Sequence, residues 1–484
     1  MIFAGPYLNQ YPCYLPLTGW DALGTPISLA DEFLYTGDMW KLPDQRFARR
    51  HLLKVGLLGT HSLALSNVLR ARSHAGEKKH AKNTSVVWLW LQGGAPHIET
   101  FDPKMDATSD YRSMVGSLST SIPGVEWGGQ LPKLSALADQ MSVVRSFHHT
   151  NPDHLGASHY VLTAMDAPIG ASRQLSPSYG SIAAKVRGPS HPATGVPTFV
   201  RVSRTVSFDF DQPLWLGVEH APFDASGPAH SNLSLSLDAG RLNDRQRLRK
   251  QLDTLQRTVD QTGVMDGMDA FEQQAIDLVL SRSKEAFDIS QEEASLQTRY
   301  GPGLGAQLLA ARRLCEAGCG FVMLNYGWAP TPSQTPFAWD MHLGPSQPKA
   351  PSMKSQLEAI FPMFDHAIAT FLEDIRDRGQ QENILLVVTG DFGRTPKINT
   401  YGGRDHWPGL CTLALAGGGL RHGQVVGTSS AKAEYPLSNP YEPKDLMATL
   451  FHVLGIDPRL QSRDFAGRPN YYLPTGARPI TELI

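Results

Sequence analysis

The chain has 484 residues, 41% hydrophobic and 19% charged, with a formal net charge of −2. That length supports one large domain or two ordinary ones, each with a full core. The composition excludes a disordered or membrane-embedded chain, and a near-neutral balance without a long basic block gives no electrostatic basis for binding nucleic acid.

The first signal along the chain is an address. Arg49-Arg50-His51-Leu52-Leu53-Lys54 has the form of a twin-arginine export motif. An apolar segment follows from Val55 to about Leu69, then a small-residue patch at Ala71-Arg72-Ser73-His74-Ala75. The apolar segment is too short and too interrupted to span a membrane. Residues 1–82 are therefore expected to be an N-terminal extension that directs export to the periplasm or the cell exterior.

Past the linker Gly76 to Asn83, strand and helix signals alternate. Val86 to Leu91 reads as a buried strand ending in Gln92-Gly93-Gly94-Ala95-Pro96-His97, and Met141 to Ser146 as a second, leading into Phe147-His148-His149-Thr150-Asn151-Pro152-Asp153-His154. Phe321 to Tyr326, Ile384 to Thr389 and Leu410 to Ala416 are three more. Helical patterns cover Tyr179 to Arg187, Gly305 to Ala317 and Lys354 to Arg378, the last ending before Gly379. In that helix Leu357, Ile360, Phe361, Phe364, Ile368, Leu372 and Ile375 form one apolar stripe, which is core. A helical insert, about 243–290, interrupts the alternation. The expected fold is a doubly wound α/β domain with a mainly parallel sheet, spanning residues 83–475.

Four cysteines (Cys13, Cys315, Cys319, Cys411) make no disulfide framework, and Cys315 and Cys319 read as small buried residues on one helix face. His366, His422 and His452 read as surface or capping residues. The stretch after Ile384 to Thr389 carries more chemistry. The strand delivers Asp391 to its carboxyl end, where open α/β sheets place their ligands, and a Gly-rich loop brings Arg394, Asp405 and His406 nearby. A carboxylate, an imidazole and a guanidinium at one sheet edge suit a metal with a bound anion, with Asp405 a partner that orients His406.

These residues also carry a resemblance. Gln92-Gly93-Gly94 with His97 to Lys104, Arg299-Tyr300-Gly301, Leu309 to Gly318 and Trp339-Asp340-Met341-His342 are similar to motifs of the domain-of-unknown-function 1501 family, DUF1501. Gly390 to Pro396, Gly403 to Pro408 and Ala416 to Gly419 complete the set, in order, over about residues 85–470. The resemblance implies the alkaline phosphatase and sulfatase-like superfamily and its fold. It further implies hydrolysis of phosphate or sulfate esters with a divalent metal, zinc in the first instance. By that resemblance Asp340, His342 and His406 hold one metal. A second would use Asp391, but Phe392 stands where a His is expected and Gln92 where an Asp is, with His97 or His154 as possible substitutes. Thr150-Asn151-Pro152-Asp153-His154 is similar to the superfamily's T-x-P-x-H stretch, which makes Thr150 the nucleophile at a helix start, with His154 and Arg394 beside it. Two classes stay open: an exported hydrolase acting on an anionic small-molecule or glycan ester, and a degenerate member that binds such anions or a protein partner without turnover. Phosphotransfer within one substrate is disfavoured because export separates the protein from phosphosugars.

Overall fold

The computed structural model describes residues 83–484 apart from 171–172, 204–209, 227–282, 328–338 and 345–350. The twin-arginine stretch and most of the expected helical insert lie outside the described residues.

An eight-stranded sheet forms the centre, from β1 (Ser85–Leu91), β2 (Ser142–Val144), β3 (Phe199–Arg201), β4 (Phe223–Asp224), β5 (Phe321–Tyr326), β6 (Ile384–Gly390), β7 (Leu413–Gly417) and β8 (Gln424–Val426). Their spatial order is β8-β2-β7-β6-β1-β5-β3-β4. All seven residues of β1 are buried, which is why this strand shows no alternation of polar and apolar side chains. Val87, Leu89 and Leu91 face one layer, containing α4 (Leu304–Glu316) and α5 (Met353–Asp377). Val86, Trp88 and Trp90 face the other, with α2 (His154–Thr163), α3 (Tyr179–Arg187) and α6 (Pro443–Leu454). A short α1 (His97–Thr100) follows the β1 loop. Helices on both faces of a mainly parallel sheet are the doubly wound arrangement expected from the sequence.

The stripe of α5 is buried along its whole length, and Gly379, at φ +65°, takes the left-handed position just past the helix end. Met141 to Ser146 contributes only the three residues of β2. Strand β7 runs antiparallel to both neighbours, β6 and β2. Parallel neighbours need a crossover helix, whereas the connection from β6 to β7 is a returning loop whose own ribbon pairs Gly393–Arg394 with His406–Trp407. The core continues to the end of the chain, where Ile480 and Leu483 are fully buried.

Candidate metal centre

The carboxyl ends of β1, β2, β5 and β6 meet at one edge of the sheet. The β2 loop ends at Asp153, whose side chain accepts the Gly156 N–H at 3.0 Å and so caps α2, placing His154 in its first turn. Asp340 follows β5. Asp391 directly follows β6, and the ribbon beyond it supplies Arg394 and His406.

Three of these side chains converge. One ligand atom each from His154, Asp340 and His406 lies within 4.8 Å of the others. His406 Nε2 is 3.4 Å from Asp340 Oδ1, and His154 Nε2 is 3.5 Å from Asp340 Oδ2. His406 Nδ1 donates to the Pro152 carbonyl at 3.0 Å. A carbonyl only accepts, so Nδ1 carries a proton, and Nε2, which faces Asp340, is the nitrogen that a cation would take. His154 Nδ1 is hydrogen-bonded to Asp391 Oδ2, a carboxylate–histidine pair of the kind that orients metal ligands. Burial works against charge on His154, but the hydrogen bonds to Asp340 and Asp391 outweigh it and push its pKa up to about 9. Burial would likewise raise Asp340, yet bonds from His154 and His406 and the charge of Arg394 hold it well below the usual carboxylate range. In the metal-free protein the imidazolium of His154 thus stands between two carboxylates, where a cation would balance the same charge.

His342 lies at the rim, with Nε2 3.1 Å from Asp340 Oδ2 and its ring 5.1 Å from that of His406. The ring of Phe392 packs at 4.7 Å from His154 and 4.4 Å from His406, walling one side of the centre.

Several residues selected from the sequence sit differently from the roles given them. Arg394 is fully buried. Its guanidinium donates to the carbonyls of Gly94 at 3.0 Å and Arg404 at 3.3 Å, to that of Gly93, and to Asp340 Oδ1 at 2.7 Å. Those bonds make it an anchor for Asp340 instead of an exposed anion clamp. Gly93 is part of the same packing: at φ +93° it lets Asp340 pass so close that a Cβ there would lie 2.7 Å from the Asp340 nitrogen. Gln92 Oε1 accepts from Asn325 Nδ2 at 2.8 Å. His97 turns away into α1, donating from Nε2 to the Ala433 carbonyl at 3.1 Å, and burial pushes its pKa down to about 4. Thr150 is exposed and precedes the helix cap, so α2 begins at His154 and not at Thr150. Asp405 is also exposed and pairs with Asn399 at 3.0 Å, leaving the Pro152 carbonyl as the group that orients His406. A main-chain acceptor of this kind leaves no mark in a residue pattern.

The protein is similar in structure to the lipoteichoic acid synthase LtaP from Listeria monocytogenes, at 12% identity and TM-score 0.33 over 78% of this chain and 73% of that one. It is similar also to phosphonate monoester hydrolase SpPMH from Silicibacter pomeroyi, at 14% identity and TM-score 0.36 over 82% and 77% of the two chains. A third is PsFucS1 sulfatase from Pseudoalteromonas sp., at 12% identity and TM-score 0.33 over 82% and 72%. No curated protein matches the chain. Residues 83–484 match the family described as protein of unknown function (DUF1501), and the chain belongs to that family.

Proposed function

We propose that this chain is an exported, metal-dependent hydrolase of phosphate or sulfate esters, built on an alkaline phosphatase-like α/β domain. The observation that carries the reading is the convergence of His154, Asp340 and His406 from three loops onto one point of the sheet edge. Each donor is steadied from behind: His154 by Asp391, His406 by the Pro152 carbonyl, Asp340 by Arg394. Two imidazole nitrogens and a carboxylate oxygen suit zinc. The buried Asp391 Oδ1, without a hydrogen-bond partner among the described residues, adds negative charge that a cation would compensate. Such a cation, when bound, polarises an ester oxygen and makes a nearby hydroxyl or water more acidic. The chain's own residues fix the donors, exclude water on the Phe392 side and leave the His342 side open, with side-chain exposure of 31% at His342. Thr150, on the exposed loop ahead of α2, is the proposed nucleophile, with an anionic small molecule or glycan ester as substrate.

A second reading, anion binding without turnover, draws on one observation: Gln92 Oε1 accepts from Asn325 and Phe392 walls the centre, so the positions expected to hold a second cation offer no charged or imidazole donor. Metal analysis of the purified protein followed by an ester panel separates the two. The hydrolase reading expects bound metal, turnover lost on chelation, and turnover lost in His406→Ala. Thr150→Ala should abolish turnover with metal content intact. Metal-loaded protein that cleaves no phosphate or sulfate ester yet binds a sulfated glycan establishes the binder, and protein that takes up no metal ends both readings.

A further inference from the structure

His149 lies outside the donor set yet touches the loops that carry it. It is 2% exposed. Its backbone N–H donates to the Pro408 carbonyl at 2.9 Å, two residues beyond His406. Its ring Nε2–H donates to the Asp391 carbonyl at 2.7 Å, and its Nδ1 accepts the Asn151 N–H at 3.2 Å. The ring edge packs on Tyr160 of α2, with centroids 5.9 Å apart. Both ring nitrogens are therefore used in the neutral tautomer, which burial maintains by pushing the pKa down to about 4.

The consequence is geometric. Asp391 holds His154 through its side chain while its main-chain carbonyl is held by His149. Main chain and carboxylate are joined through one Cα, so a shift of that carbonyl moves the group that orients His154. The carbonyl of Pro152, three residues after His149, accepts the hydrogen bond from His406 Nδ1–H. The buried imidazole thus ties the β2 loop, through Asn151, to the end of β6, while the backbone N–H of the same residue reaches the segment following His406.

We propose that His149 is a positioning residue that sets the spacing of His154 and His406 against Asp340, and through it the affinity of the centre for its cation. The inference rests on the metal-site reading above. A histidine serving only to fill the core would make the same volume and packing contribution without governing that spacing.

The test compares wild type with His149→Phe, which keeps the ring volume without either nitrogen, and His149→Gln, whose side-chain amide reaches the same carbonyl. Zinc affinity is measured by competition with a chromogenic chelator. The Nδ1–H resonance of His154 is followed by NMR in metal-free protein, and thermal stability is recorded for each variant. The expected result is about a ten- to hundred-fold loss of zinc affinity and a displaced His154 resonance in His149→Phe, with both restored towards wild type in His149→Gln. Equal zinc affinity in wild type and His149→Phe overturns the proposal, as do equal losses in both variants that merely follow thermal stability. Wild type that binds no zinc overturns the metal reading instead. The resonance then decides for His149 alone: unmoved in the Phe variant, it refutes the positioning role, and displaced in Phe but not Gln, it supports it.

Discussion

Replacing Arg394 by methionine separates an anchoring guanidinium from an anion clamp. Methionine retains much of the aliphatic stem but removes the charge and every donor. The carbonyls of Gly93, Gly94 and Arg404 lose their Arg394 bonds, at roughly 1 kcal/mol or more for each group left unsatisfied. Asp340 also loses its cation, but with 26% of its side chain exposed it recovers water, so this pair adds only about 1–2 kcal/mol. The expected loss is about 4–5 kcal/mol or more, a large part of an ordinary domain's roughly 5–15 kcal/mol. Arg394→Lys, which keeps the charge but not the planar fork, should lose less. Urea unfolding followed by tryptophan fluorescence gives the stability, and calorimetric titration with inorganic phosphate gives anion affinity. An Arg394→Met protein that loses less than about 1 kcal/mol of stability while losing phosphate affinity refutes the anchor and restores the clamp.

Acid should destabilise the fold through His97 and His149. Each is held neutral by burial down to about pH 4, whereas the unfolded chain takes up a proton near 6.5, so stability is retained above pH 6.5 and lost as pH falls through 4. The loss approaches roughly 3 kcal/mol per histidine, and urea midpoints that stay flat from pH 7 to 4 contradict it. Gly93→Ala should cost about 1–3 kcal/mol through its positive φ and its contact with Asp340, and should weaken zinc retention in the same chelator competition. If Arg49-Arg50 directs export, changing both to Lys should hold the protein in the cytoplasm, and unchanged fractionation removes that proposal.

The sheet was legible because its strands are buried on both faces. The continuous apolar runs of β1, β5 and β6 leave few alternatives once helical stripes lie between them. The reversal of β7 was not legible, because strand direction follows from the connection and not from the strand's own residues. Residue type, read through the family resemblance, singled out Asp340, His342, His406 and Asp391 as donors, with Gln92, His97 or His154 beside them, and of these His154, Asp340 and His406 offer ligand atoms within 4.8 Å of one another. It could not show how deeply a side chain is sunk. Arg394 reads in sequence as a free cation, and only the approach of the Gly93 and Gly94 carbonyls makes it an internal strut. His97 opens a short helix that turns its ring towards Ala433, a direction that a four-residue element does not announce.

The reversed β7 has a bearing on how such a protein can change. Because β6 leaves the sheet at the same edge where β7 enters it, the segment from Asp391 to Thr412 departs from and returns to that edge without traversing a helical layer. Its outer turn, around Tyr401 and Gly402, is exposed, while its inner ribbon carries Arg394 and His406. Insertions or exchanges at that turn would reshape the approach to the centre and leave both stems, and the far edge of the sheet, in register. The same geometry marks this segment as the natural place to graft recognition of a different ligand onto an unchanged set of donors.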